Sequence, residues 1–340
     1  MTTGEHADTR RFGTGGATVA EVGESGILDS LVEISRRVAP AAPGTETGDD
    51  AAVWTPRTGH DLAVSIDAVV ESVDFRRSWT SPAQLGRRAF AVAVSDLAGT
   101  GASPLHCVAT VCLPPSEQVE DLLEIQRGLC EAAAAAGCTV SGGDLSAIDG
   151  PLVIDVCVIG ELPSGSALRR TAGRSGDLLV VTGRLGRAAA GLRLLLDEGS
   201  TPADPTPEER TWIAAQIDPP LRLREGRQLR ESGVTCAGDI SDGLAVDAAR
   251  TARSSVCAAE LWMDAIPVDT GLVARFSQVW LQLALGGGED FELLAAMPAD
   301  VFDRVRAAWP PELAPLTVVG RLCEGAGVQL LAAPGGAPVD

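Results

Sequence analysis

Residues 82–104 read PAQLGRRAFAVAVSDLAGTGASP. The part up to Leu97 is an apolar run of helix formers, with Ser81 placed as N-cap and Pro82 at the first helical position. It predicts a helix over 82–97, and Asp96 sits inside that run. A carboxylate among alanine, valine and leucine has to be paired, hydrogen-bonded or bound to a metal, because its desolvation is costly. Working outward, strand-length apolar runs lie at 62–70, 106–113 and 152–162, with helical spacing at 27–37 and 117–136. The segment Pro163-Ser-Gly-Ser166 reads as a linker. Beyond it, strands are predicted at 177–182, 259–266, 291–297 and 316–322, and helices at 187–198, 207–217, 221–231 and 244–254. The Pro-rich segment 201–207 is expected to be a surface loop. Alternating helix and strand periods define an α/β fold class. The expected organisation is a flexible extension over 1–22, domains over 23–165 and 166–330, and a tail over 331–340.

The chain has 340 residues and a formal charge of −19, from 46 acidic and 27 basic groups. Every basic group is Arg; Lys and Tyr are absent. Schiff-base chemistry, a P-loop lysine and a Tyr general acid are therefore excluded. A surface of this sign repels phosphate backbones, so no nucleic-acid partner is expected. Hydrophobic content of 45%, with 38 Gly and 21 Pro dispersed through the chain, excludes a disordered protein. The 8 Cys form no CxxC pair, which reads as buried reduced thiols in a cytoplasmic protein. Residues 1–22 lack the apolar core of a signal peptide, and no apolar run approaches the ~20 residues that span a bilayer. No membrane partner is expected.

Carboxylates recur beside glycine or at the ends of apolar runs. GDDAAV (48–53), VSID (64–67), VSDL (94–97), SGGD (141–144), GDISDG (238–243) and GGGEDF (286–291) all show this. Taken singly, Gly-Asp before a helix or strand is as often a turn or an N-cap, and Asp239, Ser241 and Asp242 can be read as caps. Asp67 and Asp96 have no such role. Six sites in a chain without Lys point to a shared divalent-metal cluster. Hard carboxylate and hydroxyl oxygens suit Mg²⁺, which bridges to phosphates. The adjoining glycines admit a polyphosphate close to the backbone, so nucleotide phosphate chemistry is the expected consequence. GRLG (183–186) precedes a helix whose N-terminus could receive an anion, though alone it reads as a loop. Arg169 and Arg170 read equally as a phosphate clamp or a solvated pair. His106, within a strand, is expected to be structural, and Trp262 and Trp280 to be core.

Together, GDDAAV (48–53), SID (65–67), SDLAGTGASP (95–104), SGGDLS (141–146), DISDGL (239–244) and GGGEDFELL (286–294), with GESGIL (23–28) ahead of them, resemble the bacterial thiamine-monophosphate kinase family in order and spacing. The resemblance covers residues 23–321. It implies the two-domain α/β (α+β) fold shared with aminoimidazole-ribonucleotide synthetase, selenophosphate synthetase and a hydrogenase-maturation protein. It further implies a homodimer built through the N-terminal sheets, with ATP in the resulting groove. By position, Asp50, Ser65, Asp67, Asp96, Asp144, Asp239 and Asp242 fall on the family's Mg²⁺ sites. Gly143, Asp144, Arg170 and Ser241 fall on ATP-contacting positions, and Glu289 on an acceptor-contacting one. The implied reaction is direct in-line transfer of the γ-phosphate of ATP, the co-substrate, to thiamine monophosphate. An acceptor that is already a phosphate needs little general-base help, in keeping with a site that has no Lys and no catalytic His.

The departures from the family pattern cluster. Where the family reads Val-Glu-Gly-Val-His-Phe, this chain has Val70-Glu-Ser-Val-Asp74-Phe75, so Asp74 stands at a substrate-contacting His position. Ile66 replaces a metal-contacting Thr, Ala93 an Asn and Leu145 a Thr, and PGGAPVD replaces an aromatic tail. Asp74 would repel an anionic acceptor unless a metal intervened. Three alternatives therefore stand beside the kinase. One is a diverged paralogue with another small-molecule acceptor. Another is a superfamily ATP-dependent synthetase, although the Asp-Gly-Val-Gly-Thr-Lys motif and the N-terminal Cys and Lys of those enzymes are absent. The third is a nucleotide-binding protein without catalysis.

Overall fold

A computed structural model describes residues 16–40 and 51–339. Strand-period residues build a first sheet from β1 (His60–Val70), β2 (Ser103–Leu113), β3 (Thr139–Ala147) and β4 (Val153–Pro163), in the order β1-β4-β2-β3. All its pairs are antiparallel except β2–β3. Successive side chains of a strand alternate faces. Ile154, Val156 and Val158 of β4 are accordingly buried on one side, and Asp155, Cys157 and Ile159 are partly exposed on the other. The buried face is covered by α2 (Glu24–Val38), α3 (Pro82–Thr100) and α4 (Val119–Ala135). Ahead of α2, the short helix α1 (Val19–Val22) is held by Val19 and Ala20, whose N–H groups donate to the Glu117 and Pro115 carbonyls. Residues 1–15 of the expected extension lie outside the described residues.

The second sheet contains β5 (Leu178–Thr182), β6 (Cys236–Ile240), β7 (Ala258–Trp262), β8 (Glu292–Met297), β9 (Leu316–Cys323) and β10 (Val328–Leu331), in the order β10-β7-β9-β5-β8-β6. With it go α5 (Arg187–Glu198), α6 (Pro207–Ile217), α7 (Leu223–Glu231), α8 (Leu244–Ser254), α9 (Thr270–Arg275), α10 (Trp280–Gly286) and α11 (Ala299–Ala308). The strand expected over 259–266 stops at Trp262, where Met263–Ala265 turn into a 3₁₀ helix. The sequence did not predict β3, β6, β10, α9, α10 or α11, nor α1, which falls in the expected flexible extension. β3 and β6 carry Gly142, Gly143, Asp144, Gly238 and Asp239, residue types depleted from strands. Ladder pairing overrides that preference, and Gly143 lies so near β2 that a Cβ there would be 2.1 Å from the Ala109 carbonyl.

α3 is the junction of the molecule. A capping box opens it: Gln84 N donates to Ser81 Oγ and Ser81 N to the Gln84 side chain. Gly101, with φ of 74°, closes it. Its buried residues lie on every side of the helix (Leu85, Ala89, Phe90, Ala93, Val94, Leu97 and Ala98 among them), the signature of a helix enclosed by protein. One apolar core runs from Ile154 and Val156 of the first sheet through α3 to Leu229, Ala237 and Leu293 of the second half. The helix also approaches that half at backbone distance. A Cβ on Gly226 of α7 would lie 2.0 Å from the Ala98 carbonyl, and one on Gly99 would lie 2.9 Å from Asp239 N.

On the uncovered face of the first sheet, Leu62, Val64 and Ile66 of β1 are 46%, 65% and 63% exposed. Among the described residues no helix is long and apolar enough to cross a membrane. The close approach at α7 is directly testable. Gly226→Ala is expected to lower unfolding stability by about 1–3 kcal/mol in urea denaturation, because backbone cannot yield as a side chain can.

Candidate active site

Three elements bring acidic side chains to the seam between the sheets. Ser65 Oγ on β1 donates to Asp96 Oδ2 at 2.6 Å, and Ser95 Oγ on α3 donates to Asp239 Oδ2 on β6 at 2.8 Å. Consecutive residues of a helix point about 100° apart. Ser95 therefore faces the second sheet while Asp96 opens into a cavity of about 420 Å³, lined also by Val64, Arg170, Gly238 and Asp239. Arg170 Nη2 donates to Asp239 Oδ1 at 3.0 Å and to the Asp239 carbonyl at 3.1 Å. Gly238 leaves room for that guanidinium, since a Cβ there would be 2.4 Å from Arg170 Nε. This Nε is buried and has no hydrogen-bond partner among the described residues.

Burial pushes the Asp239 carboxyl up to about 6, and the neighbouring Asp96 charge adds to the rise. Asp67 is raised as well, first by burial and then by Asp96, Asp74 and Asp155. An acidic set that raises its own pKa values is short of positive charge. Ser65, Asp67, Asp96 and Asp239 offer hard oxygens of the kind Mg²⁺ takes, so the donor chemistry fits that ion. Among the described residues no three His, Cys, Asp or Glu side chains converge into a closed metal cage.

The other predicted positions sit on other elements with other partners. Asp50 lies outside the described residues. Gly143 and Asp144 of β3 line a second cavity of about 480 Å³, together with Ser141, Gly142 and Leu28 of α2. Ser146 Oγ donates to Asp144 Oδ2 at 2.7 Å. Ser241 and Asp242 form the loop before α8, where the buried Asp247 accepts their N–H groups at 3.1 and 3.0 Å. The Asp242 carboxylate is ion-paired with Arg250. Asp247 was missed because it reads as an ordinary first-turn acid of a helix.

Asp74 and Glu289 meet around Arg88, a residue of α3 that is 2% exposed. Arg88 Nη1 donates to the Gln216 carbonyl, and Nη2 donates to Glu289 Oε1 and to the Asp74 carbonyl. The Asp74 carboxylate turns back on its own chain and accepts from Val70 N at 2.8 Å. Nothing in the sequence distinguished Arg88, because an arginine on a helix normally snorkels to water. Glu289 and Phe291 have φ of 69° and 47°, a left-handed backbone that is costly for non-glycine residues. Their N–H groups donate to the Ser241 and Ile240 carbonyls at 2.8 and 3.0 Å, stitching the two acidic loops together.

The anion site considered at GRLG is filled by the chain itself. Asp290 accepts from Gly186 N at 2.7 Å and Ala188 N at 3.0 Å, at the start of α5. His106 is structural as expected: it is buried, with Nδ1 3.0 Å from Ser141 Oγ and its ring 4.7 Å from that of Trp54.

With two α/β halves and an acidic seam between them, the chain has the architecture of the AIR synthase related proteins. Residues 48–162 match the model of their N-terminal domain and residues 174–332 that of their C-terminal domain. The thiamine-monophosphate kinase of Bacillus subtilis (strain 168) is 31% identical over 82% of this chain and 85% of its own length. The crystal structure of thiamine-monophosphate kinase from Stenotrophomonas maltophilia K279a superposes with a TM-score of 0.80 at 31% identity, covering 89% of this chain and 96% of that one. AaThiL complexed with AMPPCP and TMP superposes with a TM-score of 0.74 at 28% identity, covering 96% and 98%. The chain belongs to the thiamine-monophosphate kinase family.

Asp290 yields a pH prediction. Burial pushes its carboxyl up to about 7, against the opposing pull of its two backbone hydrogen bonds. Between the ordinary aspartate value of about 4 and that raised value, the folded state holds a proton that the unfolded chain has lost. Stability should therefore fall as pH rises through this window and level off above it. Asp290→Asn removes the titration, so the unfolding free-energy difference between variant and wild type should change by on the order of 1 kcal/mol per pH unit across the window. Denaturation at several pH values measures it, and a constant difference contradicts the assignment.

Proposed function

We propose that the protein transfers the γ-phosphoryl group of ATP to thiamine monophosphate, giving thiamine diphosphate and ADP. The observation that carries this reading is the acidic seam, where burial and the Asp96 charge raise the Asp239 carboxyl and Arg170 is the guanidinium paired with Asp239. It is supported by likeness over nearly the whole chain to a structure holding AMPPCP and TMP. Asp67, Asp96 and Asp239, with Asp50, Asp144 and Asp242 assigned by resemblance, would hold Mg²⁺ against the nucleotide phosphates. That ion supplies neutralisation of the charge on the transferring group. Arg170 orients Asp239 and lines the same cavity, where its guanidinium would meet an incoming phosphate. Gly143 and Ser241 present backbone to the nucleotide. The acceptor phosphate carries its own ionised oxygen, so the side chains position and neutralise rather than remove a proton.

The working unit in this proposal is a homodimer. Exposed Val64 and Ile66 of β1 form the apolar face a second copy would cover, and Val64 also lines the Asp96–Asp239 cavity, so interface and site adjoin. The free state of the cysteines supports a reducing, cytoplasmic setting.

Two experiments test this. With ATP, Mg²⁺ and thiamine monophosphate the protein is expected to form thiamine diphosphate, and Asp96→Asn to lower kcat by about 100-fold or more with the fold intact by circular dichroism. Absence of thiamine diphosphate from the wild type, or an active variant, overturns the reading. Ile66→Glu is expected to shift light-scattering mass from dimer to monomer; an unchanged mass refutes the interface.

A further inference from the structure

The acceptor end of the proposed site is built on a buried arginine whose partners come from both halves of the chain. We propose that Arg88, with Gln216, is a positioning residue that aims the Glu289 carboxylate and thereby sets affinity for the acceptor, independently of ATP. The inference rests on the phosphotransfer reading above.

Four observations carry it. Both oxygens of Glu289 are held, one by Arg88 Nη2 and the other by Gln216 Nε2. A carboxylate fixed at each oxygen has one orientation, and this one remains 28% exposed, so its free lone pairs face outward from the pair that grips it. The same guanidinium donates to the Asp74 carbonyl, so the two residues at acceptor positions are set relative to each other through one group. The backbone at Glu289 and Phe291 is held in the left-handed region, a strain that persists only where the surroundings over-determine it.

The fourth observation separates positioning from simple cohesion. Arg88 Nε, Gln216 Oε1 and Trp79 Nε1 are buried with no partner among the described residues, and all three residues line one small cavity of about 10 Å³ with Asp74 and Phe75. A purely structural knot would satisfy those atoms. The exposed side of the aimed Glu289 carboxylate suits an acceptor whose non-reacting end carries N–H or O–H groups, or positive charge. Eight residues separate Arg88 from Asp96 on α3, about 12 Å along the helix axis. The helix thus spaces the acceptor end from the metal end, and a change at Arg88 should be felt at only one of them.

The test is steady-state kinetics on the full-length protein with ATP, Mg²⁺ and thiamine monophosphate. Arg88→Met and Glu289→Gln are each expected to raise KM for thiamine monophosphate about tenfold or more while KM for ATP stays within about twofold. The double variant should be little worse than either single one, because both remove the same contact. Arg88→Lys should recover part of the loss. Gln216→Leu keeps the buried guanidinium, and should give a smaller shift in the same KM even if Arg88→Met does not fold. The inference is overturned if KM for thiamine monophosphate is unchanged in Gln216→Leu and in whichever Arg88 variants fold, or if both KM values rise together. A wild type that makes no thiamine diphosphate removes the phosphotransfer reading and this inference with it. An active wild type with unselective variants removes this inference alone.

Discussion

Helix α3 lies against the second half of the chain at backbone distance, and the arrangement of the site depends on that closeness. Gly99 faces Asp239 N and Gly226 faces the Ala98 carbonyl, at positions where a methyl group would not fit. With the backbones this near, Ser95 reaches Asp239 directly, and Asp96, one residue on, shares a cavity with it. A helix enclosed on all sides can afford no polar residue without a partner. Three polar residues of α3, Arg88, Ser95 and Asp96, reach across to the other half or to β1.

The molecule treats its carboxylates in two ways. Arg77 donates to Glu71 at 2.6 Å and to Glu117 at 2.6 Å, and Arg222 holds both oxygens of Glu292 at 2.6 Å. These are closed networks in which the charges answer each other. At the seam, the Asp96 charge adds to burial in raising the Asp67 and Asp239 carboxyls. In a chain whose basic side chains are all Arg, Arg170 is the group that answers Asp239 there, and it does so with Nε still unpartnered among the described residues. The contrast is what marks the seam as a place for an additional cation.

Asp74, in place of the family's His, loses some of its apparent conflict with an anionic acceptor. Its carboxylate is engaged by Val70 N at the end of β1, a local hydrogen bond that ties it to the turn. Its carbonyl, rather than its charge, is what Arg88 binds. The proposed acceptor end is thus organised by a guanidinium, onto which Glu289 projects from a strained loop.

Local periodicity made much of this fold legible. The strands at β1, β2, β4, β5, β8 and β9 and the helices α2 to α8 all stand where apolar spacing and Ser81-Pro82-type caps placed them, because period and capping are properties of neighbouring residues. Asp67 and Asp96 stood out for the same reason, as charges inside apolar runs. β3 and β6 were not legible, since the glycines and aspartates they carry suppress the strand signal and only pairing with β2 and β8 restores it. Arg88 and Gln216 gave no local sign at all; their roles arise from Glu289, 201 and 73 residues away in sequence. The sequence by itself determined most of the elements and the acidic inventory. Which carboxylates share a cavity, and which are already answered by an arginine or a backbone N–H, was decided only by tertiary structure, because burial and pairing are set by contacts that local pattern does not encode.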